Sequence, residues 1–452
     1  MDWLGVTALS VATLAGLVLI LRPRSGTAVA FGLAGFWAAL VVLAWRFVSV
    51  DLRLGEVASL SRDELSWPLR LAGVWAGPAG SILLWSTLLV SIAAIAVGRS
   101  PASTDDETSG WVRRRQILGA ASAVCGMAVI FIAQTFDRLG EPAVRGVGLN
   151  PVLEHWAMVI HPPLLYTAQA MVVGAALVWR RNDPDARRRW TTLAASLLLS
   201  ATLLGSWWAH DELGWGGWWA WDPVENTALA PLLALIASLH MRSSINSLRW
   251  NRIAAAAVFA GIAVTRSGLP SSVHAFASGG GVAPLFAVAA AMVAASAAFV
   301  RNDPAAANSS PGKWSPRVLG ERVTAGAAGW TLIVIGSGSL TAMWLGTRTP
   351  VGTIDGKILG TLFIPVGVSI LTGVIGFGFR RRQKPTSMLA HLGVVLFGVG
   401  VIGSLLGTSE TSNVRFGQPT IINDSQITLL GTTVDESRPD ATRADIRASI
   451  DG

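Results

Sequence analysis

Twelve stretches of predominantly apolar residues follow one another along the chain, at 3–21, 27–45, 79–97, 116–135, 163–179, 191–208, 224–241, 253–265, 282–300, 323–345, 357–379 and 388–406. Most reach the ~20 residues that an α-helix needs to cross a bilayer. The pattern predicts an all-α polytopic integral membrane protein of about 12 transmembrane helices. Counts of eleven or thirteen are alternatives, because 253–265 is short and must borrow from its flanks. Beyond 406 the pattern changes to a polar tail, 407–452, whose VRFGQPTIINDSQITLLGTTV shows short β-like runs broken by turn residues.

Length alone, 452 residues, would suggest about three soluble domains. Composition overrules that: 52 % of residues are hydrophobic, 14 % are charged, and the mean hydropathy is +0.52. A soluble domain carries roughly 25 % charged residues. Disorder, collagen and a secreted disulfide scaffold are excluded. The single cysteine, Cys125, lies in an apolar run, so the chain has no CxxC pair, no Cys-rich metal site and no CxxCH haem-attachment site of its own. No A-x-A-like cleavage signal follows the first stretch, which therefore reads as an uncleaved span.

The net charge of +8 has a topological rather than a nucleic-acid explanation. The loops after the first, third, fifth, seventh, ninth and eleventh stretches hold 22 of the 35 Lys and Arg residues, including Arg113-Arg114-Arg115, Arg187-Arg188-Arg189 and Arg380-Arg381-Arg382. Basic residues are retained on the cytoplasmic side. These loops are therefore expected inside and both termini outside.

That orientation puts the unusual segments on the outer face: 46–78, 136–162, 207–226 and 266–281. The third has six tryptophans within fifteen residues, Trp207, Trp208, Trp215, Trp218, Trp219 and Trp221. An interfacial aromatic belt accounts for two or three of them. Six around Gly216-Gly217 point instead to a shelf for a planar apolar ring, the glycines allowing a sharp turn and a close approach. The segment ends in Asp222-Pro223-Val224-Glu225, which also reads as a helix N-cap, a proline start and a capping-box glutamate. Asp222 and Glu225 are thus either the start of a span or part of the site.

Six histidines occur in the chain. His161, before Pro162-Pro163, and His274 lie on the outer side, whereas His240 and His391 lie at similar depth near the inner side. One histidine in a span is often a helix–helix hydrogen-bonding group. Two at matched depth, with two more flanking a tryptophan shelf, fit a pair of bis-histidyl iron sites better, since imidazole suits iron and haem is a planar ring. A zinc set is not completed by Cys, Asp or Glu. His155 and His210 do not pair in this way and are read as exposed or supporting groups.

WGGWWAWDPVEN at 215–226 resembles the WWD signature of the haem-handling proteins of cytochrome c biogenesis (CcmF, NrfE and CcsA). VWAGPAGSILLW, GLNPVLEHWAMVIHPPLLY, GSWWAHDELGWGGWWAWDPVENTALAPLLALIASLH, RSGLPSSVHAFAS and MLAHLGVV follow in the order of the CcmF-type haem lyases, so that the resemblance covers most of 65–410. Two features depart from it. His210 stands where the family string has an aromatic residue, and the chain ends at Gly452 without the family's further span, as a short or truncated member would.

The resemblance implies a transmembrane haem lyase domain over 1–406, with the WWD loop at 207–226 and outer histidine loops at 136–162 and 266–281, and an extracytoplasmic tail over 407–452. It implies a bacterial plasma membrane location with the site on the outer side. Trp207, Trp208, Trp215, Gly216, Gly217, Trp218, Trp219, Trp221 and Asp222 would form the haem platform. His161 and His274 would bind the iron of a haem that arrives as substrate from the chaperone CcmE. His240 and His391 would bind a resident haem b that draws electrons from quinol. CcmH- and CcmI-type subunits would present apocytochrome c for thioether formation at CxxCH; membrane lipid, and no nucleic acid, completes the partners. A CcsA-like haem transporter and a simple b-type electron-transfer cytochrome are the alternatives.

Overall fold

The computed structural model describes residues 2–98, 105–178, 185–213, 223–241, 244–269, 281–300, five positions between 325 and 332, and 417–422, 425–435 and 438–450. The chain divides into two compact units, Met1–Val401 and Ile402–Gly452. The apolar stretches at 357–379 and 388–406, most of 323–345, the string 214–222, His274 and His391 lie outside the described residues.

The described part of the first unit is helical: α1 Trp3–Leu21, α2 Gly26–Val48, α3 Gly55–Leu60, α4 Trp67–Ala76, α5 Pro78–Val97, α6 Asp105–Met127, α7 Trp156–Leu177, α8 Asp185–Leu213, α9 Pro223–His240, α10 Ser244–Arg266 and α11 Ala283–Ala298. Among the described residues, six helical stretches, Trp3–Leu21, Gly26–Val48, Pro78–Val97, Thr108–Ile132, Trp156–Leu177 and Asp185–Glu212, are long and apolar enough to cross a membrane. α10 takes in both flanks of the short stretch at 253–265. The fourth stretch ends in a π-helical turn, Ala128–Ile132. α7 begins seven residues before the apolar stretch at 163–179 and runs straight through Pro162 and Pro163.

Helix contacts follow from side-chain size. α1 packs on α2 and α6, α5 on α7, α7 on α8, and α10 on α9, α11 and α7. At the α1–α6 crossing two glycines face each other: a Cβ on Gly16 would lie 2.7 Å from Gly119 O, and one on Gly119 2.7 Å from Gly16 O. In a membrane, where lipid is as apolar as leucine, such close backbone approach is a main source of helix association. At one end of the helices, arginines take up terminal carbonyls. Arg115 donates to Pro23 O and Ser25 O, Arg188 to Leu239 O, Arg252 to Ser296 O and Arg249 to Val300 O.

The opposite end carries α3 and α4, which lie within the segment 46–78. Their main fixture is Glu56. Gly77, which precedes α5, has no side chain to cap it, and Glu56 Oε1 accepts instead from Ala79 N (3.2 Å) and Gly80 N (3.0 Å). Burial pushes the Glu56 carboxyl above the usual carboxylate range, against the pull of those two N–H groups and Arg266. The folded state then binds this proton more tightly than the unfolded chain. Stability at Glu56 therefore falls as pH rises from the ordinary carboxylate value through the raised one. Glu56→Ala should strand two N–H groups and lower thermal stability in detergent by about 1–3 kcal/mol per group. Glu56→Gln, which keeps an acceptor and removes the charge, should lose much less and flatten the pH dependence. Equal destabilisation by both variants would refute this capping role.

The second unit contributes a three-stranded antiparallel sheet in the order β1–β2–β3: Pro419–Ile422, Ser425–Asp435 and Arg438–Ile450. Thr420 pairs with Ile427 and Ile427 with Ala448, and the register shifts between Leu429 and Gly431.

Candidate functional site

A cavity of about 220 Å³ opens between α4, α5, α7, α8, α9 and α10. α7 lines it with His161, Pro162, Leu165, Tyr166 and Gln169, a stripe of one helical face. α8 adds Thr202, Gly205, Ser206, Trp208 and Glu212, α9 adds Val224 and Glu225, and α10 adds Gly261, Thr265 and Arg266. Trp75, Ile82 and Trp85 close the side formed by α4 and α5.

His161 sits in the second turn of α7, and its surroundings follow from the two prolines after it. Pro162 has no N–H, so the Met158 carbonyl loses its ordinary helical donor. Trp75 Nε1 of α4 donates to that carbonyl instead, at 2.8 Å. The Arg62–Glu154 ion pair (2.7 Å) ties the segment between α3 and α4 to the approach to α7. The segment 46–78 thus supports the turn that carries His161.

The imidazole is held from the other side by α8. Its Nδ1 donates to Ala201 O at 3.0 Å. Gly205, one turn on, makes room for the ring: a Cβ there would lie 2.5 Å from Cε1, 3.0 Å from Nε2 and 3.1 Å from Nδ1 of His161. With the proton on Nδ1, the lone pair is on Nε2, the tautomer a metal ligand needs. His240, the last residue of α9, repeats the arrangement locally, with Nδ1 donating to Ile236 O at 2.7 Å. Its side chain is exposed on the described helices.

His155 is arranged the opposite way. It is the N-cap of α7, and its Nδ1 accepts from Ala157 N at 3.1 Å. The neutral ring must then carry its proton on Nε2, which faces Asp211 Oδ2 (3.5 Å) and Glu212 Oε1 (4.0 Å). These three groups lie close enough together to suggest a cation site. A metal on Nε2 would need the proton on Nδ1 and would cost the helix its cap, so the cluster is better described as a hydrogen-bonded post. His155 is thus not exposed: its side chain is 10 % accessible and its ring stacks on Trp208 at 6.2 Å and 11°. His210 is exposed in the last turn of α8.

The two described tryptophans of the aromatic segment separate. Trp208 lines the cavity edge-on to His161, at 5.9 Å, and its buried Nε1 has no hydrogen-bond partner among the described residues. Trp207 packs instead on Trp156 (5.3 Å) and His155 (5.7 Å). Deeper in the cavity wall, Trp85 Nε1 donates to Gln169 Oε1 at 3.1 Å and its ring meets Phe259 and Phe286 edge-on. α9 starts at Pro223, and Glu225 in its first turn lines the cavity. Trp215, Gly216, Gly217, Trp218, Trp219, Trp221, Asp222, His274 and His391 fall outside the described residues.

Comparison with known proteins agrees with this architecture. Residues 184–266, which include α8, the aromatic segment and α9, match the family described as Cytochrome C assembly protein. The chain is 33 % identical over 432 residues to the probable cytochrome c-type biogenesis protein NrfE of Escherichia coli K12, covering 87 % of this chain and 74 % of that one. It is 35 % identical over 284 residues to the cytochrome c-type biogenesis protein CcmF of Pseudomonas aeruginosa, 55 % of this chain but only 40 % of that protein's length. In fold it is similar to a solved cytochrome c haem lyase CcmF, with a TM-score of 0.63 at 21 % identity over 99 % of this chain and 85 % of that one. Fold and relatives together define a multi-pass helical membrane protein of cytochrome c assembly. Within that class, the chain belongs to the CcmF/NrfE family of cytochrome c-type biogenesis proteins.

Proposed function

We propose that this chain is a haem lyase that holds haem, delivered by the chaperone CcmE, at the cavity lined by His161 and Trp208 and at the WWD loop, and promotes its attachment to the CxxCH thiols of apocytochrome c. The observation that carries the reading is the contrast among the histidines. His161 and His240 both have Nδ1–H engaged by a carbonyl, which supports Nε2 as a ligand nitrogen. His155, at the same mouth, has the reverse polarity.

In this reading His161 and His274 bind the iron of the substrate haem. Trp207, Trp208 and the platform Trp215–Asp222 hold its ring. The buried Nε1 of Trp208, without a partner among the described residues, supports a polar acceptor within the cavity, and the apolar walls suit a porphyrin. His240 and His391 hold a resident haem b, which when bound supplies one-electron chemistry fed by quinol. The reaction adds a cysteine S–H across a vinyl group: the sulfur–carbon bond forms, and the proton goes to the other vinyl carbon. It needs no protein nucleophile. The chain contributes orientation and the exclusion of water, and near-attack geometry alone is worth up to about 7–11 kcal/mol. CcmH- and CcmI-type partners present the apocytochrome. The arginine-rich ends lie in the cytoplasm, and 12 spans, two outer termini and a bacterial plasma membrane complete the reading, with domains at 1–406 and 407–452.

The purified chain should show the absorption spectrum of one low-spin, bis-imidazole haem per chain. His240→Ala and His391→Ala should each remove it while the helical circular dichroism signal persists. An unchanged haem content in both variants would overturn the resident site.

A further inference from the structure

α7 and α8 pack side by side and run in opposite directions. His161 meets Ala201 and Gly205, whereas His155, nearer the start of α7, meets Trp208, Asp211 and Glu212 farther along α8. Trp208 is shared by the two histidines. It stands edge-on to His161 at 5.9 Å and stacks on His155 at 6.2 Å and 11°. Trp208 is among the described residues that line the cavity and His155 is not. The His155 ring therefore backs the indole from outside the cavity wall.

Among the described residues, no hydrogen bond sets the tilt of that indole, because Trp208 Nε1 has no partner there. The ring also packs on an apolar cluster that includes Leu149, Leu153 and Met158, but apolar burial is non-directional and does not choose an angle. The His155 ring, by contrast, is held at two places. Its Nδ1 accepts from Ala157 N of α7 at 3.1 Å, and its Nε2 faces Asp211 Oδ2 and Glu212 Oε1 of α8 at 3.5 and 4.0 Å. The anchors act on different ring nitrogens, one from each helix, so the imidazole cannot swing or flip without losing one of them. Its face is a fixed surface against which Trp208 rests.

Taking the haem reading above as its basis, we infer that His155 is a positioning residue, which sets the tilt of Trp208 relative to His161 and so prepares the indole to receive the porphyrin. An iron bound at Nε2 of His161 lies in the imidazole plane, and a porphyrin around it stands at right angles to that plane. The 64° between the His161 and Trp208 rings inclines the indole toward the porphyrin, as stacking requires. An indole free to turn would meet the porphyrin at the wrong angle, and ordering it on binding would cost affinity. His155 does this without touching the haem. Its two anchors lock the pair of helices and the indole between them into one arrangement before the substrate arrives.

The test titrates the full chain in detergent with iron protoporphyrin IX, by absorption, and melts the same preparations by circular dichroism. His155→Asn keeps a capping acceptor at the head of α7 and loses the ring. It should melt close to the unmodified chain yet bind the porphyrin about tenfold more weakly, the lower end of what losing an outer-shell support costs. His155→Phe keeps a ring face and loses both anchors. It should melt lower than His155→Asn yet bind more tightly, so that the two variants rank oppositely in stability and in binding. The same rank order in both measurements would mean that His155 merely caps α7, and the inference would be wrong. Trp208→Phe checks the route. Adding His155→Asn to it should change binding by less than about twofold, since groups that act through one contact are not additive. A further loss as large as that of His155→Asn alone would show that His155 does not act through Trp208, and would equally sink the inference. His161→Ala checks the underlying reading separately. If His161→Ala and Trp208→Phe both bind the porphyrin as the unmodified chain does, the haem cavity is overturned and the role of His155 with it. If they weaken binding and His155→Asn does not, the positioning role alone fails.

Discussion

His161→Ala should reduce the yield of holocytochrome c at least about a hundredfold, because even an outer-shell partner of a metal ligand costs 10–100-fold when removed. The fold should survive: α7 remains anchored by Trp75 on the Met158 carbonyl and by the His155 cap, neither of which involves the imidazole. The resident haem should survive as well, since His161 and His240 belong to opposite ends of helices that run in the same direction, His161 near the start of α7 and His240 at the end of α9. Holocytochrome yield, capture of chaperone-delivered haem and the resident spectrum, measured on one preparation, decide the matter. Loss of the resident haem in His161→Ala, or normal maturation, would break the two-site scheme.

Gly205→Ala should reproduce much of that loss without touching a histidine. Its Cβ would intrude on three atoms of the His161 ring, and rotating the ring away breaks the Nδ1 bond to Ala201 O. A misplacement of about 1 Å can cost on the order of 100-fold in rate. Stability should change far less than haem capture, because the helix gain offsets much of the lost hydrogen bond and the crowding. Gly205 lies inside α8, where alanine is favoured over glycine by about 1 kcal/mol. A variant that melts at nearly the same temperature yet captures little haem is the expected result. A variant with full haem capture would show that the ring has room to spare.

Among the described residues, the helices of the first unit were legible because their signal is local. A run of apolar residues long enough to span a bilayer cannot easily be anything else, and α1 coincides with the apolar run 3–21. The position of His161 within the helix was harder to read. Two consecutive prolines look like a helix start, yet α7 continues through them because a tryptophan 87 residues earlier, Trp75, serves the orphaned carbonyl. Glu56 as the cap of α5, Gly205 as the space for an imidazole and Arg266 as a buried cation share the same non-local character. Each depends on a partner from a distant helix. Arg266 did leave a trace: it stands directly after an apolar run, where a charge is expensive. The tautomers of the histidines had no sequence signal, because the deciding partners are backbone carbonyls and amides.

Those carbonyl partners have an electronic consequence. A carboxylate accepting the Nδ1 proton would draw it away and push negative charge through the ring onto Nε2. The imidazole would then be a stronger donor, and an iron bound to it would hold more tightly to its oxidised state. Ala201 O and Ile236 O are neutral, and they orient the ring without loading it with charge. At both positions a bound iron would face an imidazole close to its neutral character, and its reduction potential would stay correspondingly high. That suits the proposed function, in which the substrate must be kept ferrous long enough for a thiol to add to it.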